Sequence, residues 1–480
     1  MTPQELKNSI LQLAIQGKLV PQRPEEGNAE ELYKQIQAEK KKLIKEKKIK
    51  KEKPLPEITD EEKPFEIPAS WKWLKVSDCI SNKTGLAYKK TSLEIKSNFM
   101  IRVLRGGNIL NLNYTFKPDD IFISSKFVKK DLLLRKNTII TPAVTSLENI
   151  GKMALIENDY NDVVVGGFVL MLTPHLSNEI FAKYLLYVFS SKYFKNNCKN
   201  IVNKSGQAFY NLSREKLMLI NIPIPPLAEQ KRIVAKIEEL LPYVERYEAA
   251  YNKLQQLNKR FPGDLQKSVL QLAIQGRLVP QCPEECNAED LYKQIQAEKQ
   301  KLIKEGKIKK EKPLPEITDE EKPFEIPENW KWVRLGEIFT LQAGKNINSS
   351  NIYKNQDVTH KYLCYGGNGV RGYVTNYNRD GIFAIIGRQG ALCGNINVAN
   401  GKFYATEHAV VVDHYNITDA IWSSFFIKAL NLNQYATSTA QPGLAVSNII
   451  KVLIPLPPFA EQKRIVAKIE ELLPLCDKLK

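Results

Sequence analysis

The chain has 480 residues, too many for one compact domain, and two to four units are expected. Apolar residues make up 43%, enough for ordinary globular cores, but no run of 18 or more of them occurs, so the hydropathy pattern contains no membrane-spanning helix. The formal charge of +17 favours a polyanionic partner, nucleic acid being the commonest, although lysine-rich solvated faces would produce the same excess.

The N-terminus, MTPQELKNSILQLAIQG, has no cationic start before its apolar run and reads as a helix rather than a signal peptide. Thr2-Pro3-Gln4-Glu5 is a capping box with proline at the first helical position, and Gly17 stops the helix. Lys40–Lys53 and Lys299–Lys312 are read as lysine-rich helical stretches, fitted to a solvated face or to partner docking. Ser9–Trp73 recurs at Ser268–Trp332 with 56 of 65 positions identical and a constant offset of 259. A second repeat, AEQKRIVAKIEELLP, occupies Ala228–Pro242 and Ala460–Pro474 at an offset of 232, each copy preceded by IPxPP. The change of offset isolates two unlike segments between the repeats.

Apolar residues at alternating spacings of four and three mark a heptad seam: Ile233, Ile237, Leu240, Val244, Tyr247, Tyr251 and Leu254. Ile465, Ile469, Leu472, Cys476 and Leu479 keep that phase in the C-terminal copy, with Pro242 and Pro474 expected to kink the helices. Asp264–Gln275 is read as a second helix, made antiparallel to the first by a turn at Pro262-Gly263. The variable segments, rich in β-branched and aromatic residues with Gly and Asn turns, read as mixed α/β domains with helices at Glu179–Tyr193 and Thr418–Leu430.

The IPxPPxAEQKRIVxKIEELLP blocks, the LQLAIQGxLVPQ blocks and the IPxxWxW motifs at Ile67–Trp73 and Ile326–Trp332 resemble the specificity subunit of type I restriction-modification enzymes over essentially the whole chain. The C-terminal block departs from the pattern by stopping soon after its seam. The resemblance implies an α+β chain: two target recognition domains separated by two antiparallel long-helix, coiled-coil conserved regions, in a circularly permuted, pseudo-twofold arrangement. The expected boundaries are 1–73 for the N-terminal helical repeat and its lead-in, 74–221 for the first recognition domain, and 222–332 for the central helical region. Residues 333–453 would form the second recognition domain and 454–480 the C-terminal helix. Each recognition domain would read one half of a split site in double-stranded DNA. The helices would dock methyltransferase subunits, two in number, and through them restriction subunits.

The chain lacks an FxGxG cofactor loop, an NPPY-like or DPPY-like tetrapeptide and a GxxxxGK[ST] phosphate loop. No catalytic residues and no cofactor are therefore assigned to it. S-adenosylmethionine, ATP and Mg2+ are expected on the partner subunits. Cys282 and Cys286 invite a zinc reading, but their repeat partners are Arg23 and Gly27 and no second Cys or His cluster stands nearby, so no metal is assigned. The seven scattered cysteines fit a reduced cytoplasm. A fused methyltransferase or nuclease is disfavoured by the missing motifs. A free-standing tandem DNA-binding regulator is the competing reading.

Base readout needs forked donors and acceptors near the groove, with glycine allowing close backbone approach. In the first variable segment the candidates are Arg102, Arg105, Asn108, Thr145, Ser146, Lys204, Gln207 and Tyr210. In the second they are Lys345, Asn346, Tyr365, Asn368, Arg371, Arg388, Gln389 and Gln441. Each taken singly also fits a solvated loop. His408, in ATEHAVVV, is read as structural or base-contacting.

Overall fold

The computed structural model describes residues 1–51, 56–93, 99–205, 208–282, 284–390, 392–436 and 442–479. Gln207 and Gln441 lie outside the described residues. The chain is mixed helix and sheet and divides into two units, Met1–Leu254 and Gln255–Lys480.

The first unit opens with the helix Pro3–Ile15, capped by Thr2 and Glu5 in a reciprocal box. It ends before Gly17, whose φ of +70° suits glycine, and a Cβ there would lie 2.4 Å from the Pro68 ring. Gly276 stands in the same relation to Pro327, so the repeat copies its backbone geometry as well as its sequence. The helix Ala29–Lys45 follows, and Lys47 at φ 55° ends it. Its copy, Ala288–Lys304, ends before Gly306 at φ +71°. The helices thus stop short of the stretches read to Lys53 and Lys312, because the chain enters the left-handed region there.

In each unit the variable segment leaves the repeats through one two-stranded ribbon. Lys72–Lys75 pairs antiparallel with Asn221–Ile224, placing Trp73 opposite Pro223. Lys331–Arg334 pairs with Leu453–Leu456, placing Trp332 opposite Pro455. Beyond the ribbons the two segments share a topology despite little shared sequence. A four-stranded sheet takes the order Ile80–Thr84, Val169–Pro174, Ile139–Pro142 and Ala154–Leu155 in the first unit. In the second the order is Thr340–Ala343, Ala409–Asp413, Phe383–Gly387 and Ile396–Ala399. A second sheet is built around one parallel pair, Met100–Leu104 with Val163–Val165 in one unit and Tyr362–Gly366 with Lys402–Ala405 in the other. The helices Glu179–Ser190 and Ala420–Ala429 pack into the main cores near the ends of the segments. The strands are nearly all apolar where they lie inside the sheet, as in Val163–Val165 and Val410–Val412, which are almost fully buried.

The turn expected at Pro262-Gly263 does not form. Leu227–Ile274 is one continuous helix of 48 residues. Pro262 is the repeat equivalent of Pro3, which begins the N-terminal helix; in the central copy the preceding chain is already helical, so the proline sits inside. An interior proline costs about 3 kcal/mol relative to alanine. Burial of Ile233, Val234, Ile237 and Val244 at one end, and of Val269, Leu270, Ala273 and Ile274 at the other, outweighs it.

The partners of this helix therefore come from elsewhere in the chain. In the first unit the Tyr247 hydroxyl donates to the Met1 carbonyl (2.7 Å), while Gln22 Nε2 donates to Glu229 Oε1 (2.6 Å). The N-terminal helix thus runs antiparallel to the opening turns of the long one. In the second unit Gln266 Nε2 donates to Asp477 Oδ1 (2.8 Å) and Gln281 Nε2 to Glu461 Oε1 (2.6 Å), which sets Phe459–Asp477 antiparallel to the closing turns. Ile233, Ile237, Val244, Ile465 and Ile469 are buried in these packings, with Leu240 and Leu472 at their margins. The seam read as far as Leu254 loses its cover before that point, and Leu254 is 53% exposed.

Candidate nucleic-acid interface

Five backbone segments converge at one end of the sheets in each unit, joined by the same four hydrogen bonds. Leu86 N donates to Val165 O (2.7 Å), as Lys345 N does to Ala405 O (3.0 Å). Gly166 N donates to Leu104 O (2.8 Å), as Thr406 N does to Tyr365 O (2.9 Å). Ala143 N donates to Phe168 O (2.8 Å), as Arg388 N does to His408 O (2.9 Å). Leu212 N donates to Ala143 O (2.8 Å), as Leu444 N does to Arg388 O (2.9 Å). This register makes Ala87 the counterpart of Asn346, Gly107 of Asn368, Val144 of Gln389, Gly167 of Glu407 and Phe168 of His408.

In the second unit the convergence forms an open cleft of about 620 Å3. Its walls bring together four of the expected residues, Asn346, Asn368, Arg371 and Gln389, with Glu407 and His408 added. Gly367 is required by the close approach of these segments, since a Cβ there would fall 2.9 Å from Gln389 O and 3.3 Å from His408 O. Lys345 is exposed beside the cleft, its backbone N–H tied to Ala405 O. Arg388 is half-buried, and both its backbone N–H and its carbonyl serve the local frame. Tyr365 faces away: it is 7% exposed and packs edge-on against Phe403 at 5.5 Å. His408 Nε2 lies 3.1 Å from Glu407 Oε1, with 42% of its side chain exposed.

The first unit distributes its candidates differently. Lys204, Tyr210 and Thr145 lie in one cross-strand row of the three-stranded sheet, Lys204 opposite Tyr210 and Tyr210 opposite Thr145. Side chains in such a row stand on one face. Ser146 follows, its hydroxyl accepting from Asn149 Nδ2 at 2.8 Å. Arg102 and Asn108 belong to the internal frame, and Arg105 joins it only through its backbone N–H. Asn108 is 1% exposed; its Oδ1 accepts from Arg105 N, and its Nδ2 donates to Thr115 O and Asp120 Oδ1. Arg102 Nη1 donates to Asp120 Oδ2 at 2.9 Å, and the guanidinium stacks between Phe116 and Phe122. Burial alone would raise the Asp120 carboxyl, but the hydrogen bonds from Lys117 N, Asn108 and Arg102 overcome it and hold it below the usual carboxylate range. Arg105 reaches the Asp119 carbonyl at 3.2 Å. Polar residue types at a strand end suggested groove contacts, but the buried carboxylate of Asp120 claims Arg102 and Asn108, while Arg105 stays exposed beside Asp119.

Phe168 is the residue that the sequence reading missed in this unit. It is a phenylalanine 71% exposed at the tip of the turn between Val163–Val165 and Val169–Pro174. Within VVVGGFVLML it reads as one more core residue. The Gly-Gly pair before it was the only local signal that the strand breaks there.

The repeats carry a second constellation at the foot of each domain. Trp71 Nε1 donates to Glu229 Oε2 (2.8 Å), and Trp330 Nε1 to Glu461 Oε2 (2.8 Å). Arg232 holds Glu26 and the Pro21 carbonyl, as Arg464 holds Glu285 and the Pro280 carbonyl. Burial raises Glu229 and Glu461 above the usual carboxylate range, against the hydrogen bonds from tryptophan and glutamine that lower them.

The family model for the type I restriction modification DNA specificity domain matches residues 68–256 and 327–480. The type I restriction enzyme EcoAI specificity subunit of Escherichia coli is 31% identical over 544 residues, covering 99% of this chain and 90% of that protein. The EcoEI specificity subunit of Escherichia coli is 27% identical with the same coverage. A crystal structure of the HsdS subunit from Thermoanaerobacter tengcongensis aligns over 87% of this chain and 92% of that one, with 16% identity and a TM-score of 0.47. Repeats, family match and full-length likeness agree: the chain belongs to the specificity subunits of type I restriction-modification enzymes.

Proposed function

We propose that the chain reads a bipartite site in double-stranded DNA through two target recognition domains, 74–221 and 333–453, and performs no chemistry of its own. The observation that carries this reading is the convergence site. One backbone frame recurs in both units, and its side chains differ, as two halves of an asymmetric site require. Glycines at the convergence let the backbone come close to a duplex. The strongly basic composition supplies cations for phosphate contacts.

The finer assignments follow the family. The repeat regions act as antiparallel, coiled-coil conserved regions in a circularly permuted, pseudo-twofold layout. They dock two methyltransferase subunits, which in turn recruit restriction subunits. S-adenosylmethionine, ATP and Mg2+ belong to those partners, and the assembled complex is an adenine-type methyltransferase and site-specific endonuclease of the cytoplasm. The test is genome-wide mapping of methylated sites with and without this chain. A split motif present only with the chain supports the reading, and an unchanged methylation pattern overturns it.

A further inference from the structure

The register of the convergence site places Phe168 and His408 at one backbone position, the tip of the turn that follows the parallel strand. Both carbonyls accept from the strand-end residue beside them, so the turn is fixed and the side chain is left to project. At 71%, Phe168 is the most exposed aromatic side chain among the described residues, and it stands on a turn fixed by backbone hydrogen bonds. In the first domain the positions aligned with Asn346, Asn368 and Glu407 are Ala87, Gly107 and Gly167, which carry little or no side chain, and a Cβ on Gly167 would touch Ala87 at 3.4 Å. Lys117 Nζ would lie 3.6 Å from a Cβ on Gly107, which brings a cation to the same rim. In the second domain the same positions carry polar groups, Asn346, Asn368 and Glu407, around a histidine. One domain therefore offers an apolar probe in a glycine-lined setting, the other a hydrogen-bonding probe in a polar cleft.

We propose that this turn-tip residue is the base-reading probe of each domain: Phe168 packs on the C5 methyl of a thymine, and His408, its ring steadied by Glu407, hydrogen-bonds a base edge. The inference rests on the DNA-reading function above and specifies the side chains that perform it. Thymine is the base that offers an apolar group in the major groove, and phenylalanine is among the residues that meet it. A histidine ring nitrogen exchanges hydrogen bonds with base edges and has no use for that methyl.

The test uses the chain assembled with its methyltransferase subunit and duplexes carrying its mapped motif. Each thymine of the half-site assigned to the first domain is replaced in turn by deoxyuridine, which lacks only the methyl. Wild-type complex should lose about fivefold or more in affinity at one such position, the lower end of a single base contact. Complex with Phe168→Ala should bind the thymine duplex more weakly and no longer distinguish thymine from uracil there. His408→Ala should relax one position of the other half-site by a similar factor and leave the first half unchanged. Leu219→Ala, at an exposed leucine (47%) that caps the helix Arg214–Met218 and takes no part in the convergence site, serves as the folding and binding control. Indifference of the wild type to every uracil, or retained discrimination in Phe168→Ala, overturns the thymine contact. An unaltered motif in both variants overturns the turn-tip assignment while the DNA-reading function stands. Absence of any motif in the wild-type complex instead removes the function on which the inference rests.

Discussion

Trp71 and Glu229 are 158 positions apart, yet the indole N–H of one is hydrogen-bonded to the buried carboxylate of the other at 2.8 Å. The bond ties the lead-in to the first variable segment to the helix that follows it. Trp330 and Glu461 repeat it at 2.8 Å with sequence offsets of 259 and 232, so each unit is closed by one copy of each repeat. Trp71→Phe keeps one aromatic ring but removes the donor and part of the indole, leaving a buried carboxylate oxygen unsatisfied at a cost of about 1–3 kcal/mol, to which the small cavity adds. Trp330→Phe should cost the same within error. Chemical denaturation checks both, and a neutral outcome for either would show that water replaces the indole.

Gly263 lies inside the continuous helix with no positive φ, and a Cβ there meets nothing within 4 Å. Gly263→Ala should therefore stabilise the protein by up to about 1 kcal/mol through helix propensity. A glycine serving a turn would respond in the opposite direction, so the sign of the change in Tm decides between helix and hairpin.

Asn108 was read as a base contact, but its buried amide joins Arg105, Thr115 and Asp120. Asn108→Ala should destabilise the first unit by about 2–4 kcal/mol, since several buried polar groups lose their partner at once. The methylation motif of the protein that still folds should be unchanged. A relaxed half-site at full stability would return Asn108 to the interface.

His175 is buried against the Ser77 carbonyl at 3.4 Å, and burial, with the Lys40 charge adding, pushes its ring down to about 4 from an ordinary 6.5. The unfolded chain then takes up the proton first. Stability is fully present above about pH 6.5 and is lost as the pH falls toward 4. His175→Phe should flatten the dependence of Tm on pH across that window. An identical slope in wild type and variant would assign the loss to other groups.

Replacing 74–221 with the matching segment of another specificity subunit should change one half of the recognised motif and leave the other intact. The segment leaves the repeats through a single ribbon, Lys72–Lys75 with Asn221–Ile224, but its helix Glu179–Ser190 shares a core with the repeat helices, so the incoming segment must bring the matching apolar face. Methylation mapping of cells carrying the chimera is the check. Simultaneous change of both halves would show that the domains do not read independently.

The sequence by itself determined the parts whose signal is local or repeated. The capping box at Thr2 and Glu5, the two repeats and their offsets, and the helices near Glu179 and Ala420 follow from capping, periodicity and identity along the chain. The family was legible for the same reason. Tertiary structure decided where the pattern admits two outcomes. Pro262 starts a helix or rides inside one, depending on whether the preceding chain is already helical and whether both ends find a core to bury in. Asn108 and Arg102 read bases or brace a loop, depending on whether a buried Asp120 waits for them. Phe168 belongs to the core or the surface according to where two strands end, and that is set by hydrogen bonds to chain far away in sequence, at Leu104 and Ala143. Burial and hydrogen-bond satisfaction are properties of neighbours in space, and a linear pattern carries them only where the neighbours are also near in sequence.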